Sequence, residues 1–383
     1  MSTGMLPYSS DLTRRKWLRE GLIQASAQSF FAPYSGTSMD SIIYQVNNES
    51  ASEGHTVVFD FDGNLSGKAI KGKETAYGKG EVKRKFSDKI VVDRYRLVVD
   101  NGDKFDGAAI GDLSINQHSD SRAKLSDLFT RWKDQAIFDT IQGFKDSKAP
   151  THVWAKDVSS TKFGYNDLVD IEKALRTGVG FKSAGFNTSA AAAAQRGPLR
   201  PFRLADGRSI WLMIIDPFTA ANIKSNTAAG GIMALAQHAD LRGNQNRIFR
   251  GLLGQIGQLV IVEAEAFFGD TKAGTSLDAT GVEIAGMRQW DSVNSKWSGQ
   301  EGFASAVWSR NLILGAGAVQ FAMGKQPDYK FQESTDFGIK SESALEVWLE
   351  FQKTNLTAEV GDYKAAKVAD MDFACVAVDL KIA

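Results

Sequence analysis

Apolar side chains recur along the chain with two different periods. Over residues 122–144, Leu125, Leu128, Phe129, Trp132, Ala136 and Ile141 return at steps of three to five, the spacing of one helix face. Asp120 and Ser121 offer caps at its start and Gly143 marks its end. About 22 residues at 1.5 Å rise predict a helix about 33 Å long, enough to serve as a spine. A shorter helix is predicted over 167–176. Elsewhere the period falls to two. Val57, Val58 and Phe59 open a strand that meets an Asp62-Gly63-Asn64 turn. Residues 90–99 alternate, with Val91, Asp93, Tyr95, Leu97 and Val99 on one face. Between these strands, 67–89 is rich in Lys and Gly, so the pair frames a projecting, polar hairpin. Residues 209–215 are a buried strand closed by Asp216-Pro217 and followed by a helical stretch. Further strands are predicted over 258–268 and 373–382. Residues 269–302 are rich in Gly, Thr and Ser and predict a long surface loop that exposes Trp290 and Trp297. Helices and strands mix without βαβ order, which favours an α+β class.

The first 53 residues read as an arm. Asp11 caps a short stripe of Trp17, Leu18, Leu22 and Ile23, with Phe30 and Phe31 beyond it and an apolar patch at Ile42, Ile43 and Tyr44. Too little apolar surface is present for a core, so this segment must lie on its own body or on a neighbour.

Composition narrows the function classes. The 383 residues carry 45 Lys+Arg against 45 Asp+Glu, which excludes a general nucleic-acid coat, since phosphate binding needs a basic excess. One cysteine, Cys375, excludes an intramolecular disulfide framework and a Cys-rich zinc site. The four histidines are scattered, so neither a metal nor a cofactor is expected. Gly251, Gly254 and Gly257 do not make a dinucleotide fingerprint, and Gly324-Lys325 is followed by Gln326 rather than Ser or Thr. No apolar run approaches membrane-span length, and residues 1–10 lack a signal-peptide stretch. The zero net charge is unevenly distributed. Over 66–96, ten basic residues oppose four acids, a local charge of +6; over 327–383, eleven acids oppose six bases, a charge of −5.

One motif invites an enzymatic alternative. The run from Val57 to Leu65 resembles the DxDGT strand end of haloacid-dehalogenase phosphatases, which would make Asp60 the nucleophile and Asp62 the acid/base with Mg²⁺ between them. Asn64 replaces the usual Thr, and a Lys/Gly-rich stretch follows instead of a helix. A calcium loop at the same place fails, because Leu65 and Lys71 occupy the positions that need Gly and Glu. Glu263 and Glu265 share a strand face as glycosidase carboxylates do, or as solvated edge carboxylates.

The order of parts resembles the major capsid proteins of tailed bacteriophages, the Hong Kong 97-like fold, in a podophage-type branch. Residues 67–72 through Gly80-Glu81, with 90–99, resemble its extended loop. Residues 125–144, with Trp132, Asp139 and Phe144, resemble its spine helix. Trp211 to Pro217 with Asn222-Ile223 resembles the entry to its axial domain. Residues 246–263, 310–320 and 376–379 fit as well. The resemblance implies an arm over 1–53, an extended loop over 54–106, a peripheral domain over 107–205 and 263–367, and an axial domain over 206–262 and 368–383. It implies a non-enzymatic protein that assembles as hexamers and pentamers into an icosahedral shell around double-stranded DNA. Portal, scaffolding and cement proteins are the partners it implies, with assembly in the host bacterial cytoplasm and residence in the virion. Inter-subunit contacts are expected from Lys68, Lys71, Lys73, Lys83, Arg84 and Lys85 of the loop and from Arg14, Arg15 and Trp17 of the arm.

Overall fold

The structure is a computed structural model that describes residues 29–48, 50–62, 65, 67–81, 83, 85–103, 117–144, 155–158, 164–182, 193–194, 199–204, 207–225, 252–264, 267–268, 285–305, 307–335, 340–354, 357–360 and 372–381. Strands of four or more residues are β1 (Ile43–Asn47), β2 (Thr56–Asp62), β3 (Lys85–Val91), β4 (Asp93–Asp103), β5 (Ala155–Val158), β6 (Ser209–Ile215), β7 (Leu252–Ile256), β8 (Leu259–Glu263), β9 (Met287–Asp291), β10 (Trp308–Leu314), β11 (Val319–Met323), β12 (Asp328–Thr335), β13 (Lys340–Lys353), β14 (Thr357–Val360) and β15 (Cys375–Lys381). The helices are α1 (Gln117–Gln142), α2 (Tyr165–Thr177) and α3 (Pro217–Ser225).

The strands form three sheets. In the first, the long β13 is antiparallel to β4 along one side and to β12 and β11 end to end along the other, and β1 adds parallel to β11. The second runs β7-β8-β6-β10-β15-β5, with β9 against the start of β10. The third is small, β14-β3-β2, and antiparallel throughout. The second sheet brings β5 and β10 into one hydrogen-bonded layer with β6, β7, β8 and β15.

Helix α1 joins the two large sheets, touching β4 and β13 of the first and β9 and β10 of the second. Its buried stripe of Leu125, Phe129, Ile137, Phe138 and Ile141 explains why it is a helix of this length. The helix starts five residues before the expected Arg122 and ends at the expected place. There Gly143 takes φ +78° and Phe144 N–H reaches back to the Asp139 carbonyl at 2.9 Å, a left-handed cap that glycine adopts without Cβ strain.

The described part of the arm lies on its own body. Ser29 Oγ donates to Asp134 Oδ1 at 2.5 Å and the Phe30 N–H to Asp134 Oδ2 at 2.8 Å. Phe31 packs edge-on against Phe138 of α1, with ring centroids 4.7 Å apart. Beyond it, β1 becomes part of the first sheet.

The expected exposure of Trp290 and Trp297 is corrected. Trp297 is fully buried, and it forms a separate small core with Trp290, Trp308 and Phe144. Residues 296–297 fold back on β9, pairing Trp297 with Trp290. The Gly and Ser neighbours that read as loop supply the tight turns of this hairpin.

Candidate functional site

The basic hairpin predicted from the sequence exists, but its second strand is β3 (Lys85–Val91) and not 90–99, since from Asp93 the chain runs as β4 against β13; its root and its tip differ in character. In β2 the burial alternates strictly. Val57, Phe59 and Phe61 face inward, while Thr56, Val58, Asp60 and Asp62 face out. The inward set joins Ile90, Val92, Ala322 and Trp348 in a core of its own. Tyr44 of β1 closes it with a T-shaped contact to Phe59 at 5.3 Å. The root is therefore fixed to the body by apolar packing. Beyond Asp62 and before Lys85 the described residues form no strand or helix, and almost all are exposed.

Lys68, Lys71, Lys73 and Lys83 are exposed on this loop, and Lys85 is exposed at the start of β3. Arg84, Arg14, Arg15 and Trp17 lie outside the described residues. At the tip, the Lys79 N–H donates to the Ala76 carbonyl at 3.2 Å and Lys79 Nζ meets Glu74 Oε2 at 3.1 Å. Gly78 takes φ +78° in this turn. Tyr77 sits at its apex, 95% exposed.

Asp60 and Asp62 belong to this hairpin and not to an active site. Both project from the solvent face of a strand, with Asp60 opposite Ser87 and Asp62 opposite Lys85. They sit exposed on the hairpin's outer face, whereas phosphoryl transfer uses a water-excluded site. No group of three or more His, Cys, Asp or Glu side chains converges among the described residues. Glu263 is paired with Lys224 of α3 at 2.8 Å, and Glu265 lies outside the described residues. Gly257 has a packing role: it turns β7 into β8 at φ +56°, and a Cβ there would meet the Glu172 carboxylate at 2.3 Å.

Four acids of the C-terminal segment are engaged within their own chain. Asp379 of β15 holds Arg310 of β10 through two 2.8 Å hydrogen bonds, with both side chains inaccessible to solvent. Asp372 takes Lys353 at 3.1 Å, and Glu350 accepts from the Tyr95 hydroxyl at 2.8 Å. Glu346 lies between Arg94, at 2.9 Å, and Lys330. Burial pushes its carboxyl up, but the Lys330 hydrogen bond and the charges of Lys330, Arg94 and Arg96 outweigh that and hold it below the usual carboxylate value. At the far end of α1, Asp139 takes Arg288 Nε and Nη2 at 2.6 and 3.1 Å. There burial dominates, and the Asp139 carboxyl is raised despite its partner.

A shallow cleft of about 730 Å³ opens beside this pair, lined by Phe144, Arg288, Lys296, Gly299, Gln300, Glu301 and Gly302. The Arg288 guanidinium stacks over the Phe144 ring at 4.4 Å. The Trp297 N–H donates to Gln300 Oε1 at 2.9 Å, which fixes the amide. Its Nε2 is buried without a partner. Sequence reasoning missed this cleft, because the segment that builds it reads as loop.

The described residues include no helix long and apolar enough to cross a membrane. Comparison with known proteins identifies the fold. No curated protein matches. Among solved structures, a chain in the head structure of Helicobacter pylori bacteriophage KHP40 aligns with a TM-score of 0.67 at 14% identity, over 93% of this chain and 91% of that one. The capsid of Ralstonia phage GP4 aligns with a TM-score of 0.61 at 19% identity, over 92% and 91%. The acid-stable capsid of Helicobacter pylori bacteriophage KHP30 gives 0.63 at 15%, over 92% and 90%. At such identities the likeness carries the fold, which is α+β and Hong Kong 97-like. The family model described as phage capsid protein matches residues 6–381, so the chain belongs to the phage capsid protein family, whose role is structural and not enzymatic.

Proposed function

We propose that this protein is the major subunit of an icosahedral phage head, arranged as hexamers and pentamers around double-stranded DNA. Portal, scaffolding and cement proteins are its proposed partners, and the host bacterial cytoplasm is its proposed place of assembly. The division into arm, extended loop, peripheral and axial regions belongs to the same proposal, with the second sheet running through both of the last two. The observation that carries the reading is the contrast within the hairpin. Its root is locked into the body by Val57, Phe59 and Phe61, while residues 67–81 bury almost nothing on their own chain. Such a segment is useful when it lies across another subunit, and many such weak contacts acting together hold a shell by avidity.

In this reading Lys68, Lys71, Lys73, Lys83, Arg84 and Lys85 meet a neighbouring copy. Glu346, Glu350, Asp372 and Asp379 are already engaged internally, so the acidic C-terminal segment acts by steering approach more than by fixed ion pairs. Replacing Lys83, Arg84 and Lys85 together by Glu tests the proposal. Particles seen by electron microscopy should become scarce or salt-sensitive while circular dichroism of the subunit stays unchanged. Normal, salt-insensitive particles would refute the docking role.

A further inference from the structure

We draw no further inference here: the strongest candidate, the Gln320 amide buried opposite Gln352 where the first sheet meets the hairpin root, with neither its nitrogen nor its oxygen hydrogen-bonded, has no accessible surface that a ligand could reach, and nothing in the structure shows a second arrangement of that seam that would satisfy it.

Discussion

Replacing Asp379 by Asn removes one charge from the centre of the second sheet with almost no change in shape. Asp379 and Arg310 are direct cross-strand partners on β15 and β10, joined by two 2.8 Å hydrogen bonds and wholly buried. The Arg310 guanidinium also faces the Gln142 carbonyl at the end of α1, at 3.5 Å. In water both ions would be solvated; here each is compensated mainly by the other. The substitution leaves a guanidinium in a low-dielectric site without its counter-ion, a loss of about 3–5 kcal/mol. Every 1.4 kcal/mol is about tenfold in equilibrium constant, so the folding equilibrium constant should fall by roughly two to three and a half powers of ten. That is a large share of the ~5–15 kcal/mol that typically separates folded from unfolded protein. Urea unfolding of the unassembled subunit, followed by tryptophan fluorescence, should show a lower midpoint with an unchanged slope. The double substitution Arg310→Met with Asp379→Leu removes both charges and fills the space. It should recover most of the loss, because the cost lies in the orphaned ion and not in the missing attraction. A cost below about 1 kcal/mol for Asp379→Asn, or a double variant no better than the single one, would refute this reasoning.

Other outcomes follow from the same contacts. Trp297→Ala empties the small tryptophan core and should cost about 3–5 kcal/mol, read as a lower unfolding midpoint; an unchanged midpoint would return this segment to a surface loop. Asp134→Ala strands the Ser29 hydroxyl and the Phe30 N–H, at about 1–3 kcal/mol, and limited proteolysis should then cut near Phe30 sooner than in the unmodified protein. The Glu346 carboxyl lies below its ordinary value in the folded state. Its contribution is therefore present above the ordinary carboxylate pKa and lost as pH falls through the lowered one. Glu346→Gln should flatten the acid limb of stability against pH, and an unaltered limb would contradict the Arg94–Glu346–Lys330 arrangement.

Much of this was legible from local pattern. The stripe of Leu125, Phe129, Trp132 and Ile141 determined that α1 is a helix, and Gly143 determined its end, because helix period and left-handed caps are local properties. Val57 to Phe59 likewise marked a strand, although which of its side chains face inward came only with the structure. The run from Ser209 to Ile215 announced a strand buried on both faces. A phosphatase-like spelling around Asp60 was equally visible, but spelling carries no information about convergence, and the structure leaves those carboxylates on an open face.

What the tertiary structure alone decided were the pairings between distant segments. Trp290 and Trp297 sit among polar and small neighbours, Gln289, Asp291, Lys296 and Ser298, so no window of sequence marks them as core; they are buried because they meet each other and Trp308. The charges tell the same story. Counted along the chain, a −5 segment looks like a surface awaiting a basic partner, yet Asp379, Asp372 and Glu346 face Arg310, Lys353, Arg94 and Lys330 within the same molecule. Net charge is a sum over residues, whereas an ion pair depends on an inverse distance between them. The sequence determined where α1, the strand over 209–215 and the exposed basic loop lie; only folding decided which charges were already satisfied, and so which surface the loop leaves for another copy.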